Sequence, residues 1–113
     1  MSAQEAGAAA EDTRRPIRIV VPQQLRTLAR VTGDVVVEVA RPVTVEAVVD
    51  ALEVAHPALA GAIRDRDTGR RRAMIRIYAD GLDYSDAWSD TELPDPVLEG
   101  HEPLRLVGAI AGG

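Results

Sequence analysis

The last two residues of the chain, Gly112 and Gly113, have the types and the position best suited to covalent chemistry. Consecutive glycines adopt extended and positive-φ conformations without Cβ clashes, so such a tail can thread a narrow partner site. Ala111 and Gly108 keep the preceding segment slender. A terminal carboxylate is a poor electrophile, so acyl transfer from Gly113 requires prior activation. Average glycine usage gives a terminal pair by chance in about 0.5% of chains, which favours a functional tail over an incidental one.

Metal and thiol chemistry have little support in the sequence. The chain contains no cysteine, which excludes disulfides, thiolate metal sites and a cysteine nucleophile, so any sulfur must be supplied from outside. The two histidines, His56 and His101, lack a third ligand at a recognisable metal spacing. We therefore assign no metal and no bound cofactor.

Two other polar clusters are weaker candidates. The first contains Ser85, Asp86, Ser89 and Asp90, but no nucleophile-elbow or triad context surrounds them, which disfavours a hydrolase. The second is the arginine run at residues 70–72, which offers charge to an acidic partner or a phosphate. A run this short at a loop tip is more typical of a solvated turn.

Length and charge limit the class of protein. The 113 residues fit one domain with an aliphatic core, since the chain has no Phe and one Trp. The net charge of -5 disfavours binding to nucleic acid or to anionic membranes. No apolar run approaches the roughly 18 to 20 residues that span a bilayer. Residues 1–15 resemble neither a signal peptide nor an anchor, so we expect a cytoplasmic protein.

The sequence divides into a predicted disordered leader (1–15), a folded domain (16–109) and a flexible tail (110–113). Hydrophobic periodicity predicts the secondary-structure elements within the domain. Period-two patterns predict strands, and a helical pattern behind Thr44 as N-cap predicts the main helix, which ends near His56 and Pro57. The predicted strands are 17–21, 35–40, 74–79 and 104–107, with a short helix at 23–31, a charged loop at 64–72 and a long irregular connection at 82–103. That connection has room for a short strand or turn.

The predicted order is β, β, main helix, β, β, in which one helix packs on a mixed sheet. This order indicates an α+β protein with a β-grasp (ubiquitin-like) fold. The strand periodicity places Leu104 and Leu106 in the core.

Three segments resemble the MoaD/ThiS family, the ubiquitin-like sulfur carriers of molybdopterin and thiamine biosynthesis. They are TVEAVVDALEVAHPAL at 44–59, MIRIYADG at 74–81 and LPDPVLEGHEPLRLVGAIAGG at 93–113. Asp80-Gly81 and Glu99-Gly100 stand where family members have a strand-ending turn and an acidic-Gly turn. The resemblance covers about residues 17–113, and its last segment is the most specific.

The resemblance implies a protein cosubstrate rather than an enzyme. Gly113 would be adenylated by an ATP-using, ubiquitin-activating-like adenylyltransferase, and sulfide would then convert it to a thiocarboxylate, while Gly112 helps the tail to thread the partner site. The expected acceptor is a larger synthase subunit, most simply that of molybdopterin synthase, or another sulfur-accepting enzyme. The resemblance also implies an apolar docking patch that includes Leu104, Leu106 and Ile110.

Three alternatives remain open at this point. In the first, the sulfur serves cysteine, thiamine or another sulfur metabolite. In the second, the chain is a ubiquitin-like modifier whose activated Gly113 acylates a partner's lysine; having no lysine itself, it would not build lysine-linked chains on itself. A noncovalent β-grasp adaptor is the third alternative, and there the Gly-Gly end would be incidental.

Overall fold

The computed structural model describes residues 14–108, which form a five-stranded mixed sheet with helices. The strands lie in the order β2-β1-β5-β3-β4. Strands β1 and β5 are parallel, and the other neighbouring pairs are antiparallel. The strands are β1 (Arg14–Val20), β2 (Val35–Ala40), β3 (Ile75–Ala79), β4 (Leu82–Asp83) and β5 (Leu104–Gly108). The helices are α1 (Gln23–Ala29), α2 (Val45–Ala55), a 3-10 turn (Pro57–Leu59) and α3 (Asp95–Leu98).

An aliphatic core lies between one face of the sheet and α2. Alternate strand residues turn inwards, as the period-two pattern predicted, and the buried strand side chains join those of α2 in one cluster. Val48, Val49 and Leu52 of α2 are at most 1% exposed, so this helix provides the main cover. The α+β class and the β-grasp order predicted from the sequence are therefore confirmed.

Both ends of α2 are satisfied locally. The Thr44 hydroxyl accepts a hydrogen bond from the Ala47 N–H at 3.1 Å, which confirms Thr44 as the N-cap. At the other end, the His56 N–H donates to the Leu52 carbonyl at 2.8 Å. The helix therefore begins and ends where its sequence predicted.

Several boundaries differ from the sequence-based prediction, and the ends of β1 and β5 each differ by one residue. Strand β1 begins at Arg14, two residues before the predicted domain start, because β2 extends to Ala40 and pairs with Arg14. Helix α1 ends at Ala29 rather than at residue 31, because Arg30 adopts a left-handed conformation (φ 60°) and its N–H caps the helix. Strand β3 begins at Ile75, one residue later than predicted. The remaining predicted leader and the predicted tail lie outside the described residues.

The connection at 82–103 is more ordered than the prediction of a long irregular segment. It contains the two-residue strand β4 and the one-turn helix α3. Leu93, Val97 and Leu98 are buried in the common core. The isolated apolar residues of this segment thus serve as core anchors.

Candidate functional site

Strand β5 carries the chain towards Gly112 and Gly113 from the middle of the sheet. It pairs with β1 on one side and with β3 on the other, and its last residue, Gly108, lies opposite Ile75. Leu104 and Arg105 have pairing partners on both sides, whereas Gly108 is paired with β3 alone among the described strands. Gly112 and Gly113, the predicted site residues, lie beyond the described range.

Gly108 ends β5 beside Pro22 and Ile75. A Cβ at Gly108 would lie 3.7 Å from Pro22 Cγ and 3.9 Å from Ile75 Cδ1, which are ordinary van der Waals distances. Steric exclusion therefore does not require glycine at this position. The last described residue thus lies between Pro22 and Ile75 and is partly buried.

The predicted apolar docking patch is only partly on described residues, and those residues do not form it. Leu104 is fully buried and Leu106 is 3% exposed, because both turn towards α2 with the rest of the inward-facing set. Ile110 lies outside the described residues. Periodicity, which placed the two leucines in the core, was therefore the better guide.

Polar groups instead occupy the open face of the sheet beside β5. In the strand register Arg105 lies opposite Tyr78, and Val107 lies opposite Arg76. The Arg76 guanidinium is 2.5 Å from a carboxylate oxygen of Asp83 on β4. Hydrogen bonds from Ser85 and then from Arg76 lower the pKa of Asp83 to about 2. This face thus keeps fixed charges next to the strand that leads to the chain end.

The serine and aspartate cluster has a structural role at Ser85. Its hydroxyl accepts a hydrogen bond from the Ile77 N–H at 2.8 Å, and its own N–H donates to Asp83 at 2.8 Å. Ser85 is buried, whereas Ser89 and Asp90 are exposed. In the described part of the chain, the Ser85 hydroxyl is engaged by the Ile77 backbone rather than by a base.

The arginine run at 70–72 is not simply a solvated turn, and this corrects the prediction. The Arg71 guanidinium donates to the carbonyls of Ser85 at 2.9 Å and Ile75 at 2.7 Å, and its side chain is 15% exposed. Arg72 donates to the Gly61 carbonyl at 2.6 Å. Arg70 is exposed, as a solvated turn predicts, and among the described residues its side chain makes no such contact with a carbonyl. The run therefore ties the 64–72 loop to β3 and to the following connection.

A second ion pair anchors the 82–103 connection to the start of α2. Glu92 accepts two hydrogen bonds from the Arg41 guanidinium, at 2.8 and 2.9 Å, and one from the Val43 N–H at 3.0 Å. The Arg41 and Val43 bonds lower the pKa of Glu92 to about 2. Sequence analysis missed this pair, because its members are 51 positions apart and follow no local pattern.

The two histidines lie at separate ends of elements. His56 caps α2, and exposed His101 lies 3.6 Å from the Glu99 carboxylate. Within residues 14–108 no three His, Cys, Asp or Glu side chains are grouped as a metal site. Over the same range, no helix has the length and apolar character needed to cross a bilayer.

Comparison with solved structures shows which proteins share the fold of this chain. The chain superposes on small ubiquitin-like β-grasp proteins over most of its length. One is SAMP1 from Haloferax volcanii, with 23% identity and a TM-score of 0.66, covering 87% of this chain and 99% of that one. The small archaeal modifier protein 1 of Methanosarcina acetivorans has 15% identity and a TM-score of 0.63, with coverages of 88% and 98%.

A third similar structure is a complex. It is the BexX/CysO complex of Amycolatopsis orientalis, where the matched chain has 21% identity and a TM-score of 0.64, covering 85% of this chain and 98% of that one. No protein-family profile and no curated protein matches the chain. At these identities the likeness shows the ubiquitin-like β-grasp fold, and function has to be argued from the chain itself.

Proposed function

We propose that this protein is a ubiquitin-like sulfur carrier whose reactive group is the carboxylate of Gly113. The observation that carries the proposal is that β5, the central strand of a β-grasp sheet, is followed in the chain by the sequence Ala-Ile-Ala-Gly-Gly. Gly113 is five positions beyond the paired Gly108, so the carboxylate can lie at most about 17 Å from the sheet. A partner that docks on the folded domain can thus receive the carboxylate within a defined radius.

The chemistry proceeds in two balanced steps at the Gly113 carboxyl group. A carboxylate oxygen first attacks the α-phosphate of ATP in the activating enzyme, which forms an acyl adenylate and releases pyrophosphate. Sulfide then attacks the acyl carbon and expels AMP, so one carboxylate oxygen is replaced by sulfur. This chain supplies the acyl group and the narrow glycine-containing segment that enters the partner site, and the adenylyltransferase supplies the ATP site. The absence of cysteine is no obstacle, because the sulfur comes from the partner's donor.

The acceptor we propose is a larger synthase subunit that makes molybdopterin. The segments at 44–59 and 93–113, with their resemblance to the MoaD/ThiS pattern, support a sulfur-carrier role, and the cysteine and thiamine pathways are the alternatives to this acceptor. In this role the protein is a consumed and regenerated cosubstrate, and the larger subunit performs catalysis. The location that suits such a partner is the cytoplasm.

Adenylation is tested by ATP–pyrophosphate exchange with the activating enzyme of the same source. We expect exchange to depend on this protein and to disappear when Gly113 is deleted. The matched control is Gly33→Ala, where an added Cβ meets no atom within 4 Å and the chain end stays intact. Equal exchange with the Gly113 deletion would contradict the proposal.

A second candidate function is protein modification, favoured by the similarity to two proteins named small archaeal modifier protein 1. Activated Gly113 would then acylate a lysine of a partner protein. Trypsin cleaves after Arg105, so a modified lysine would carry the eight residues Leu-Val-Gly-Ala-Ile-Ala-Gly-Gly. Peptide mass spectrometry of cells expressing the protein separates the two functions, because this remnant appears on target lysines only if the chain is a modifier.

A further inference from the structure

Two polar segments that take no part in the proposed function come together in one surface pocket. They are the arginine run at 70–72 and the polar cluster that begins at Ser85, and the pocket between them has a volume of about 640 Å³. Trp88, the only tryptophan of the chain, also lines it. Pockets that bind small molecules usually have volumes of about 300–1,000 Å³. This pocket therefore has the size of a small-molecule site.

Arg71 is held in place at the pocket with one N–H left over. Its Nε donates to the Ser85 carbonyl at 2.9 Å, and its Nη1 donates to the carbonyls of Arg72 and Ile75 at 3.1 and 2.7 Å. Nη2 carries two hydrogens, and its one partner among the described residues is an Asp86 oxygen at 3.4 Å. That distance exceeds the roughly 2.7–3.2 Å of a normal N–H···O bond. Nη2 is therefore the nitrogen of Arg71 that remains available to a ligand.

The pocket is positively charged, although the chain as a whole has a net charge of -5. Arg70, which is exposed, and Arg71 supply two cations. Asp86 is the one carboxylate among the lining residues, and its side chain is 93% exposed. Two guanidinium groups against one solvated carboxylate favour an anion in this pocket. Guanidinium groups match the paired oxygens of a carboxylate or a phosphate.

Trp88 supplies the apolar surface of the pocket. Its side chain is partly exposed and also packs against the hydrophobic core. Its carbonyl accepts a hydrogen bond from the Glu46 N–H at 2.9 Å, which ties its backbone to the start of α2. Gly69 and Ala73, which also line the pocket, have little or no side chain to fill it. An indole favours contact with another flat ring, so the pocket combines an aromatic surface with arginine donors.

We propose that this pocket binds a small aromatic compound that carries a carboxylate or a phosphate, with its ring against Trp88 and its anionic group between Arg70 and the Nη2 of Arg71. Both anions present the paired oxygens that a guanidinium group recognises, so the two classes are separated by experiment. The hydrogen bonds that hold Arg71 and the backbone of Trp88 form the site before a ligand arrives, which lowers the cost of binding. The site does not depend on the proposed sulfur chemistry.

The test is an NMR titration of the isotope-labelled full chain, followed through the indole N–H resonance that Trp88 alone produces. The probes are naphthoate for the carboxylate class and AMP for the phosphate class. Naphthamide and adenosine keep the rings without the charge, and acetate and inorganic phosphate keep the charge without a ring. We expect at least one probe to bind with a Kd below about 1 mM and its two controls to bind at least about tenfold more weakly.

Three protein variants locate the site. Arg70→Gln removes the exposed cation, and we expect about tenfold weaker binding of the probe. Arg66→Gln makes the matched change on the same loop at an exposed residue outside the pocket lining, and it should alter the affinity by less than about twofold. Asp86→Asn removes the carboxylate that competes for Nη2 of Arg71, so we expect about threefold tighter binding. A merely structural role of Asp86 would not tighten it.

Several results would overturn the proposal. They are the absence of an indole shift with either probe at millimolar concentration, equal affinities of each probe and its uncharged control, or equal effects of Arg70→Gln and Arg66→Gln. Deletion of Gly113 abolishes pyrophosphate exchange under the proposed function but should leave probe binding unchanged, which separates the two tests.

The chain's own C-terminal segment is the competing occupant. Arg71 bonds the carbonyl of Ile75, which is the pairing partner of Gly108, so the chain leaves the sheet close to this pocket. Probe binding that appears only after residues 109–113 are removed would assign the pocket to that segment and contradict the small-molecule site.

Discussion

Single carboxylates hold the 82–103 connection to the rest of the domain. Glu92 bonds Arg41 and the backbone of Val43, and Asp83 bonds Ser85 and Arg76. Both pKa values are lowered to about 2 in the folded protein. A carboxylate with a lowered folded pKa stabilises the fold above its unfolded pKa and loses that contribution as the pH falls through the folded pKa.

We therefore predict a specific acid sensitivity that Glu92→Gln removes. Wild type should lose stability relative to Glu92→Gln as the pH falls from about 4.5 to about 2, because only wild type must protonate a bonded carboxylate over that window. Urea denaturation at a series of pH values measures the difference. Glu102→Gln, at an exposed turn, serves as the control. Parallel pH profiles for wild type and Glu92→Gln would refute the assignment.

Ser85 provides a second residue-scale prediction. Ser85→Ala leaves the Ile77 N–H buried without its hydroxyl acceptor, so we expect a loss of about 1–3 kcal/mol in the free energy of unfolding. Ser89→Ala, at an exposed position nearby, should change it by less than about 0.5 kcal/mol. Chemical denaturation of the two variants decides the matter, and equal stabilities would argue against a structural role for Ser85.

At the scale of elements, a side chain of the 64–72 loop holds the 82–103 connection against strand β3. Arg71 extends from the 64–72 loop and bonds the Ile75 carbonyl at the start of β3 and the Ser85 carbonyl after β4. One side chain thus joins three segments. Arg70, its neighbour, is exposed.

We expect Arg71→Ala to destabilise the domain by about 2 kcal/mol, because it removes charge-assisted hydrogen bonds to two carbonyls that it partly buries. Arg70→Ala should have an effect below about 0.5 kcal/mol. Thermal unfolding followed by circular dichroism compares the two variants at matched charge. If Arg70→Ala proved as destabilising as Arg71→Ala, the loop would owe its order to net charge rather than to these contacts.

The sequence predicted the regular elements well because their signals are local. Alternation at 17–21 and 74–79 and the helical pattern after Thr44 each depend on neighbouring residues, and each element lies within a few residues of its predicted place. The ion pair between Arg41 and Glu92 joins positions far apart in the chain, so periodicity contains no trace of it. The role of Arg71 was missed for the same reason, since a run of three arginines does not show which of them faces a carbonyl.

At the scale of the whole molecule, the described fold ends at Gly108, and the proposed reactive residue, Gly113, lies beyond it. The core is closed by α2, α3 and the sheet. Strand β5 pairs with β1 at its first two residues and with β3 along its whole length. The β-grasp fold followed from element order, and similarity to solved structures confirms it. The candidate site came from residue type and position at the chain end, and it stays a prediction.

This separation predicts that the chain end can be altered without cost to the fold. Deletion of Gly113 removes no residue of the described core, so the free energy of unfolding should change by less than about 0.5 kcal/mol. By contrast, Leu52→Ala, in the fully buried face of α2, should cost about 2–5 kcal/mol. Urea denaturation of both variants measures this. A large loss of stability in the Gly113 deletion would mean that the chain end belongs to the core.

The most direct test of the central claim is the intact mass of the protein after incubation with ATP, its activating enzyme and a sulfide source. The mass before incubation first establishes that Gly113 is the terminal residue. The sulfur-carrier account predicts a gain of about 16 Da, one oxygen exchanged for sulfur, in wild type and in Gly33→Ala but not in the Gly113 deletion. An unchanged wild-type mass, with an enzyme shown to be active in pyrophosphate exchange on this protein, would contradict the carrier function.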